Sequence, residues 1–174
     1  MTLKDNGEPY DEYEPVSNAE GTRAVFRASF KCGGQEMKVT YTAVIDARDE
    51  DGNFVEIKSS KVDFEKWIQK RSLSHYMQAY FGTMSHFIHG ETDENKVVKR
   101  VSKIPVDSIP NMGVFWNSEK CFWRVFETLQ NIENRLTLDD TALVIRRDGS
   151  GINFEIGDEK DCKFVDPEFL RYFD

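Results

Sequence analysis

Residues 54–60 read Phe54-Val55-Glu56-Ile57-Lys58-Ser59-Ser60, and Asp63 and an aromatic-rich run from Phe64 to Phe81 follow almost at once. The first stretch has the pattern of a strand. Alternation sets Val55 and Ile57 on one face and Glu56 and Lys58 on the other. The second has the pattern of a helix. Asp63 is placed to cap it. Phe64, Trp67 and Ile68, then Tyr76, Met77, Tyr80 and Phe81, recur at helical spacing, and Gly82 stands at its end as a C′ residue. A strand followed by an apolar helix that can cover it sets the expected class. This is α+β, a twisted mixed or antiparallel sheet with flanking helices.

Working upstream, Arg23–Lys31 and Gln35–Asp46 alternate apolar and polar residues on either side of Gly33-Gly34, which predicts a hairpin. Asp49-Glu50-Asp51-Gly52-Asn53 is a turn-forming cluster. The strand 54–60 is therefore expected to run antiparallel to the one before it. Downstream, Thr83–His89 and Lys96–Ile104 predict two strands around the polar loop Gly90–Asn95, and Pro105 and Pro110 bound a further loop. Asn117 or Ser118 caps a second helix with the stripe Phe122, Val125, Phe126, Leu129 and Ile132. Thr141–Arg147 and Ile152–Ile156 predict a late hairpin around Asp148-Gly149-Ser150-Gly151, and Asp166-Pro167 opens a short terminal helix. Residues 1–21, rich in Asp, Glu, Asn, Gly and Pro, are expected to form a loosely ordered lead-in. With 174 residues, 39% of them hydrophobic, one domain over 1–174 can bury its own core.

The net charge of −8 argues against holding nucleic acid by bulk electrostatics. It leaves room for an enzyme whose carboxylates bind a divalent metal and whose local basic groups hold phosphate. Lys66, Lys70 and Arg71, or Lys96, Lys99, Arg100 and Lys103, are candidate phosphate contacts, and equally fit solvated charge. Cys32, Cys121 and Cys162 have no zinc spacing and suit reduced thiols. The polar N-terminus has no signal-peptide core, and no apolar run approaches the ~18 residues of a membrane span. A soluble, intracellular protein without membrane contact is expected.

Asp46 ends the strand before Glu56, so a hairpin between them brings the two carboxylates together. An Asp on one strand and Glu-x-Lys on the next is an arrangement used by many metal-dependent nucleases. The carboxylates give hard oxygen ligands to Mg²⁺ or Mn²⁺. The metal polarises a phosphoryl oxygen, and the lysine offsets charge developing on the phosphate. Taken alone, the pattern more commonly describes a solvated sheet face with Glu and Lys outward. His86 and His89, three apart on a strand, point to opposite faces and fit a shared metal poorly, and with His75 they fit surface or satisfied histidines. Phe115, Trp116, Phe122 and Trp123 have the rings to stack on bases, but core packing is the simpler expectation.

The order Asp46, Glu56-Ile57-Lys58 and then Gln78 in HYMQAYFG resembles the DXO family of RNA 5′-end decapping enzymes and exoribonucleases, from about Ala24 to the closing FVDPEFLRYF. The resemblance implies a PD-(D/E)xK nuclease-like core. It makes Asp46 and Glu56 metal ligands, gives the metal the backbone carbonyl of Ile57, and sets Lys58 and Gln78 against the reacting phosphate or the water. The family's Glu-Φ-Asp motif (Φ apolar) is here Val44-Ile45-Asp46, so one acidic position is filled by valine. An upstream Gly-Φ-x-Φ-Glu motif finds its counterpart in Gly7 to Asp11, which makes Asp11 a further metal-ligand candidate. The family's preceding arginine motif has no counterpart. The resemblance implies Mg²⁺ or Mn²⁺ as cofactor, the RNA 5′ end as partner, and a nuclear or cytoplasmic setting. Its activities are removal of NAD caps, incomplete caps or 5′-pyrophosphate, with 5′–3′ exoribonuclease activity in some members. The alternative is a catalytically impaired paralogue that binds RNA or a protein partner without turnover.

Overall fold

The computed structural model describes residues 22–138, 141–149, 151–158 and 160. The expected lead-in, Asp11 and the terminal helix at Asp166-Pro167 lie outside these residues. The chain divides into two compact units, Met1–Cys121 and Phe122–Asp174.

In the first unit, β1 (Thr22–Cys32) and β2 (Gln35–Ile45) form an antiparallel hairpin in full register from Thr22↔Ile45 to Cys32↔Gln35. The two-residue connection has φ +57° at Gly33 and +82° at Gly34, values that a side chain resists and that match the strand twist. Beyond it, β3 (Ala47–Arg48), β4 (Phe54–Ser60), β5 (His86–Thr92) and β6 (Val98–Pro105) make a four-stranded sheet in the order β3-β4-β5-β6. β4 is antiparallel to the chain that continues β2, but only over β3, and its main partner is β5, in parallel. The cause is the helical segment between β4 and β5. A crossover returns the chain to the same end of the sheet, which a hairpin turn cannot do. Since β5 and β6 are antiparallel, the sheet is mixed.

The crossover is two helices, α1 (Phe64–Lys70) and α2 (Ser72–Phe81), where periodicity alone predicts one. Asp63 caps α1 by accepting the Lys66 amide at 2.9 Å. At the break, Arg71 leaves helical geometry (φ −122°, ψ −18°) and the Ser72 hydroxyl donates to the Ile68 carbonyl. A side chain thus competes for a carbonyl of the ladder. The Trp116 indole donates to the same hydroxyl at 2.9 Å. At the far end the Met84 amide bonds the Ala79 carbonyl and the Thr83 amide bonds that of Tyr80. This is a Schellman pattern whose left-handed residue is Thr83, at φ +52°, not Gly82. A Cβ at Gly82 would lie 2.6 Å from Met84 Cε, the flexible tip of that side chain, and 3.3 Å from the Gln78 carbonyl oxygen, so a larger residue there would require Met84 to move. β5 consequently starts at His86, three residues later than the sequence pattern suggests.

The core of this unit lies between the crossover helices and one face of the sheet. Trp67 and Phe87 are fully buried and meet edge to face at 5.7 Å. Ile68, Tyr76, Ala79, Ile104 and Ile109 are buried as well, and Ala47 is buried with its strand partner Val55 on the opposite face of the sheet. Burying one such large apolar side chain stabilises the fold by about 2–3 kcal/mol. The short 3₁₀ segment Val106–Asn111 follows β6.

The helix α3 (Ser118–Glu133) starts in the first unit and continues into the second, which also holds the antiparallel hairpin β7 (Leu143–Asp148) and β8 (Gly151–Ile156). In the second unit, Trp123 stacks on buried Phe126, and the Arg135 guanidinium lies 4.6 Å from the Phe154 ring centre. Trp123 itself is 50% exposed, and Phe115 in the first unit is 83% exposed, so core packing does not account for these two rings. No helix among the described residues is long and apolar enough to cross a membrane.

Candidate functional site

Asp46 is the single residue between β2 and β3. The antiparallel register Ala47↔Val55, extended by one step, sets it opposite Glu56. Its carboxylate does not point away from the sheet. Oδ2 accepts the Ile57 amide at 2.9 Å. β3 is too short to pair with β4 at that level, and the Asp46 side chain supplies the acceptor that a longer β3 would have given. In a strand, the N–H and C=O of one residue leave by the same edge. The Ile57 carbonyl therefore opens toward the edge where Asp46 sits.

Glu56 differs most from the solvated-face reading. Its side chain is fully buried, because the Glu56/Lys58 face of β4 is the one turned toward the helices, and Ile57 is left 40% exposed on the other. The Lys58 ammonium pairs with Oε1, while the enclosed Oε2 has no hydrogen-bond partner among the described residues. Burial pushes the Glu56 carboxyl above its ordinary range. The Lys58 contact opposes this and the charge of Asp46 adds to it. A buried carboxylate oxygen without a donor is costly unless something positive meets it.

The donor set fits a divalent metal in kind. Asp46 and Glu56 offer hard carboxylate oxygens and Ile57 a main-chain oxygen, and the unpartnered Oε2 is the atom that a cation would satisfy. Among the described residues no group of three or more His, Cys, Asp and Glu side chains gathers at one point. Val44, at the position where the resemblance calls for a glutamate, is a partly exposed apolar side chain paired with Arg23.

Lys58 is thus held at Glu56. Gln78 is on α2 and exposed, and its side chain makes no hydrogen bond to Lys58 or Glu56. Asp11 lies outside the described residues.

The histidines are all held by neighbours. His89 is buried, bonds Ser60 Oγ through Nε2 at 3.0 Å and lies 4.7 Å from the Trp67 ring centre. Ser60 Oγ in turn donates to the Val62 carbonyl. His86 bonds Ser85 Oγ at 2.7 Å. His75 Nδ1 accepts the Trp67 indole N–H at 3.0 Å. Burial first, then the charges of Lys58 and Arg71, lower the pKa of His75 to about 4. Its nearness to Lys58 escapes sequence reasoning. The available signal is the spacing of Trp67 and His75, about two helical turns, which sets them on one side of the crossover.

A family model described as RAI1-like PD-(D/E)XK nuclease matches residues 2–170. The chain belongs to this family. Among curated relatives, the decapping nuclease dom-3 of Caenorhabditis elegans is 28% identical over 188 residues, covering 99% of this chain and 47% of the relative. The crystal structure of Rai1 from Scheffersomyces stipitis superposes with a TM-score of 0.69 at 14% identity, over 90% of this chain and 47% of that one. The same protein in complex with (3′-NADP)⁺ and calcium ion gives 0.65 at 16% identity, over 88% and 44%. Candida albicans Rai1 in complex with pU5-Mn²⁺ gives 0.65 at 16% identity, over 89% and 48%. These likenesses establish the RAI1-like fold, the expected PD-(D/E)XK core. The chain spans about half the length of the relatives it matches.

Proposed function

We propose that this chain is a short decapping hydrolase that acts on RNA 5′ ends, removing NAD caps, incomplete caps or 5′-pyrophosphate with Mg²⁺ or Mn²⁺. The observation that carries the reading is the buried Glu56 carboxylate, paired with Lys58 on one oxygen and unpartnered on the other, beside Asp46. Family membership supports it. So do the ligands named for the yeast Rai1 structures, a 5′-phosphorylated uridine oligonucleotide with Mn²⁺ and an NADP analogue with calcium.

In this reading residues 1–174 act as one nuclease domain. Asp46, Glu56 and the Ile57 carbonyl hold the metal, with Asp11 as a further ligand. The metal, when bound, polarises the phosphoryl oxygen of the scissile phosphate. Lys58 offsets the negative charge that grows there as the bond breaks. Gln78, with both a donor and an acceptor, orients phosphate or water from α2. Asp46 has a second task that needs no metal, fixing the Ile57 backbone through its amide.

The second reading is a paralogue that binds RNA or a protein partner without turnover. Val44 favours it, because a valine removes one acidic donor from the strand that carries Asp46. One assay separates the two. The protein is incubated with NAD-capped, unmethylated-capped and 5′-triphosphate RNA in Mn²⁺ or Mg²⁺, beside Glu56→Ala. Product that depends on Glu56 supports the hydrolase. RNA binding without product from any 5′ end overturns it in favour of the second reading.

A further inference from the structure

We propose that His75 is a further substrate-binding residue of this site, its Nε2–H donating to the 5′-terminal phosphate of the RNA that Lys58 contacts. This rests on the function proposed above and adds one group to that same site.

The tautomer follows from the partner. An indole nitrogen only donates, so His75 Nδ1 must accept the Trp67 N–H, and a neutral ring then carries its proton on Nε2. Trp67 is fully buried and stacks on Phe64 at 5.8 Å, so it cannot swing aside and release the ring. The imidazole is therefore oriented by a rigid neighbour, while Nε2 has no hydrogen-bond partner among the described residues. The ring is half-buried and not enclosed, which leaves that N–H within reach of a ligand.

Its surroundings select an anion. Burial first, and then the charges of Lys58 and Arg71, keep His75 neutral, and the Trp67 ring that holds it lies 4.7 Å from His89, the strand partner of Lys58. A neutral N–H donor on the side of the sheet that carries Lys58 complements a phosphate oxygen and adds no further positive charge there. Gln78 follows three residues later on α2, so His75 and Gln78 are neighbours on the helix surface. If His75 served only to satisfy the Trp67 indole, Nδ1 would suffice and changes at Nε2 would be silent.

The test compares binding of 5′-phosphorylated and 5′-hydroxyl oligouridine to the full chain in calcium, by fluorescence anisotropy. His75→Phe, which removes the donor, is expected to weaken the 5′-phosphorylated ligand roughly tenfold and leave the 5′-hydroxyl ligand unchanged, as for a lost hydrogen bond to a charged group. His75→Gln can both accept from Trp67 and donate to phosphate, and is expected to stay within about threefold of wild type. An equal loss for both ligands, or no loss with His75→Phe, overturns the inference. A readout on the unmutated protein guards against misfolding of the phenylalanine variant. Long-range ¹H–¹⁵N spectra should show the Nε2–H tautomer of His75, with Nε2 shifting as 5′-phosphorylated oligouridine is added. An unmoved Nε2 overturns the inference. Wild-type protein that fails to distinguish the two ligands removes the function proposed above, and this inference with it. That outcome is read before any variant is made.

Discussion

The Asp46 carboxylate holds the Ile57 amide at 2.9 Å, beside the two-residue ladder of β3 on β4. This bond separates the structural and chemical duties of one residue. Asn at position 46 can still accept the amide through its carbonyl oxygen but carries no charge, whereas Ala can do neither. Asp46→Asn is expected to keep the fold close to the parent's stability, and Asp46→Ala to lose about 0.5–1.5 kcal/mol, the net worth of a water-accessible hydrogen bond. Both variants should lose the stabilisation that Mn²⁺ gives the parent protein. Urea unfolding with and without Mn²⁺ checks this. A full Mn²⁺ response in Asp46→Asn would remove Asp46 from the ligand set.

Glu56 is expected to trade stability for metal affinity. Its carboxyl is pushed above the ordinary value, so the folded state holds the proton to higher pH than the unfolded chain does. Stability from this group therefore falls as pH rises from the ordinary value through the raised one, and at neutral pH the ionised group costs stability. Glu56→Gln removes that cost. Lys58 loses an ion pair, but its side chain keeps 21% exposure to water and the Gln carbonyl still accepts from it. In a chelator at pH 7, Glu56→Gln should melt a few degrees above the parent. Saturating Mn²⁺ at 100 times its Kd should then stabilise the parent by about 2.7 kcal/mol and the variant by far less. A variant less stable than the parent in chelator would mean that the Lys58 pair outweighs burial.

The turn glycines, the Asp63 cap and the alternation of β4 were legible in the sequence because each depends on neighbours along the chain. The burial of Glu56 was not. Charge predicts exposure for an average residue, and nothing local says that the polar face of β4 is the one the helices cover. The parallel pairing of β4 with β5 and the break at Arg71 were hidden for a related reason. Both depend on contacts far apart in sequence, such as Trp116 on Ser72. Strand alternation and family resemblance singled out Asp46, Glu56 and Lys58 as candidates where composition could not, but neither gave a hint that Trp67 bonds His75.

The three histidines of the chain are expected to make it acid-sensitive. Burial is the largest cause in each, and all three pKa values are lowered, that of His75 to about 4. Between the native and unfolded values the unfolded chain binds more protons. Stability from these groups is then full above pH 6.5 and is lost as pH falls through the native values. This is opposite in sign to the Glu56 effect. The urea midpoint should drop steadily from pH 7 to pH 5, and His75→Gln should flatten part of that slope. A midpoint that does not change over this range, in Glu56→Gln as well as in the parent, would mean that the rings take up protons equally in the folded and unfolded states.

Val44 offers a gain-of-function test of the site's geometry. Residues two apart in an extended chain point the same way, so position 44 shares its side of the strand with Asp46. Val44 is partly exposed and Arg23 is its strand partner, so a glutamate there has room and a neighbouring cation. Val44→Glu would add a third carboxylate to Asp46 and Glu56. Without metal the added repulsion should lower the melting temperature. With metal, the extra hard oxygen should tighten Mn²⁺ binding by roughly tenfold or more, since affinity at such sites rises with the number of charged ligands. Calorimetric titration of Mn²⁺ into the parent, Val44→Glu and Val44→Gln gives the answer. The glutamine variant controls for shape, and tightening in the glutamate variant alone identifies charge at the metal as the cause. Equal Kd values in all three would place the metal away from the strand face that Val44 shares with Asp46, and the assignment of Asp46 would fall with it.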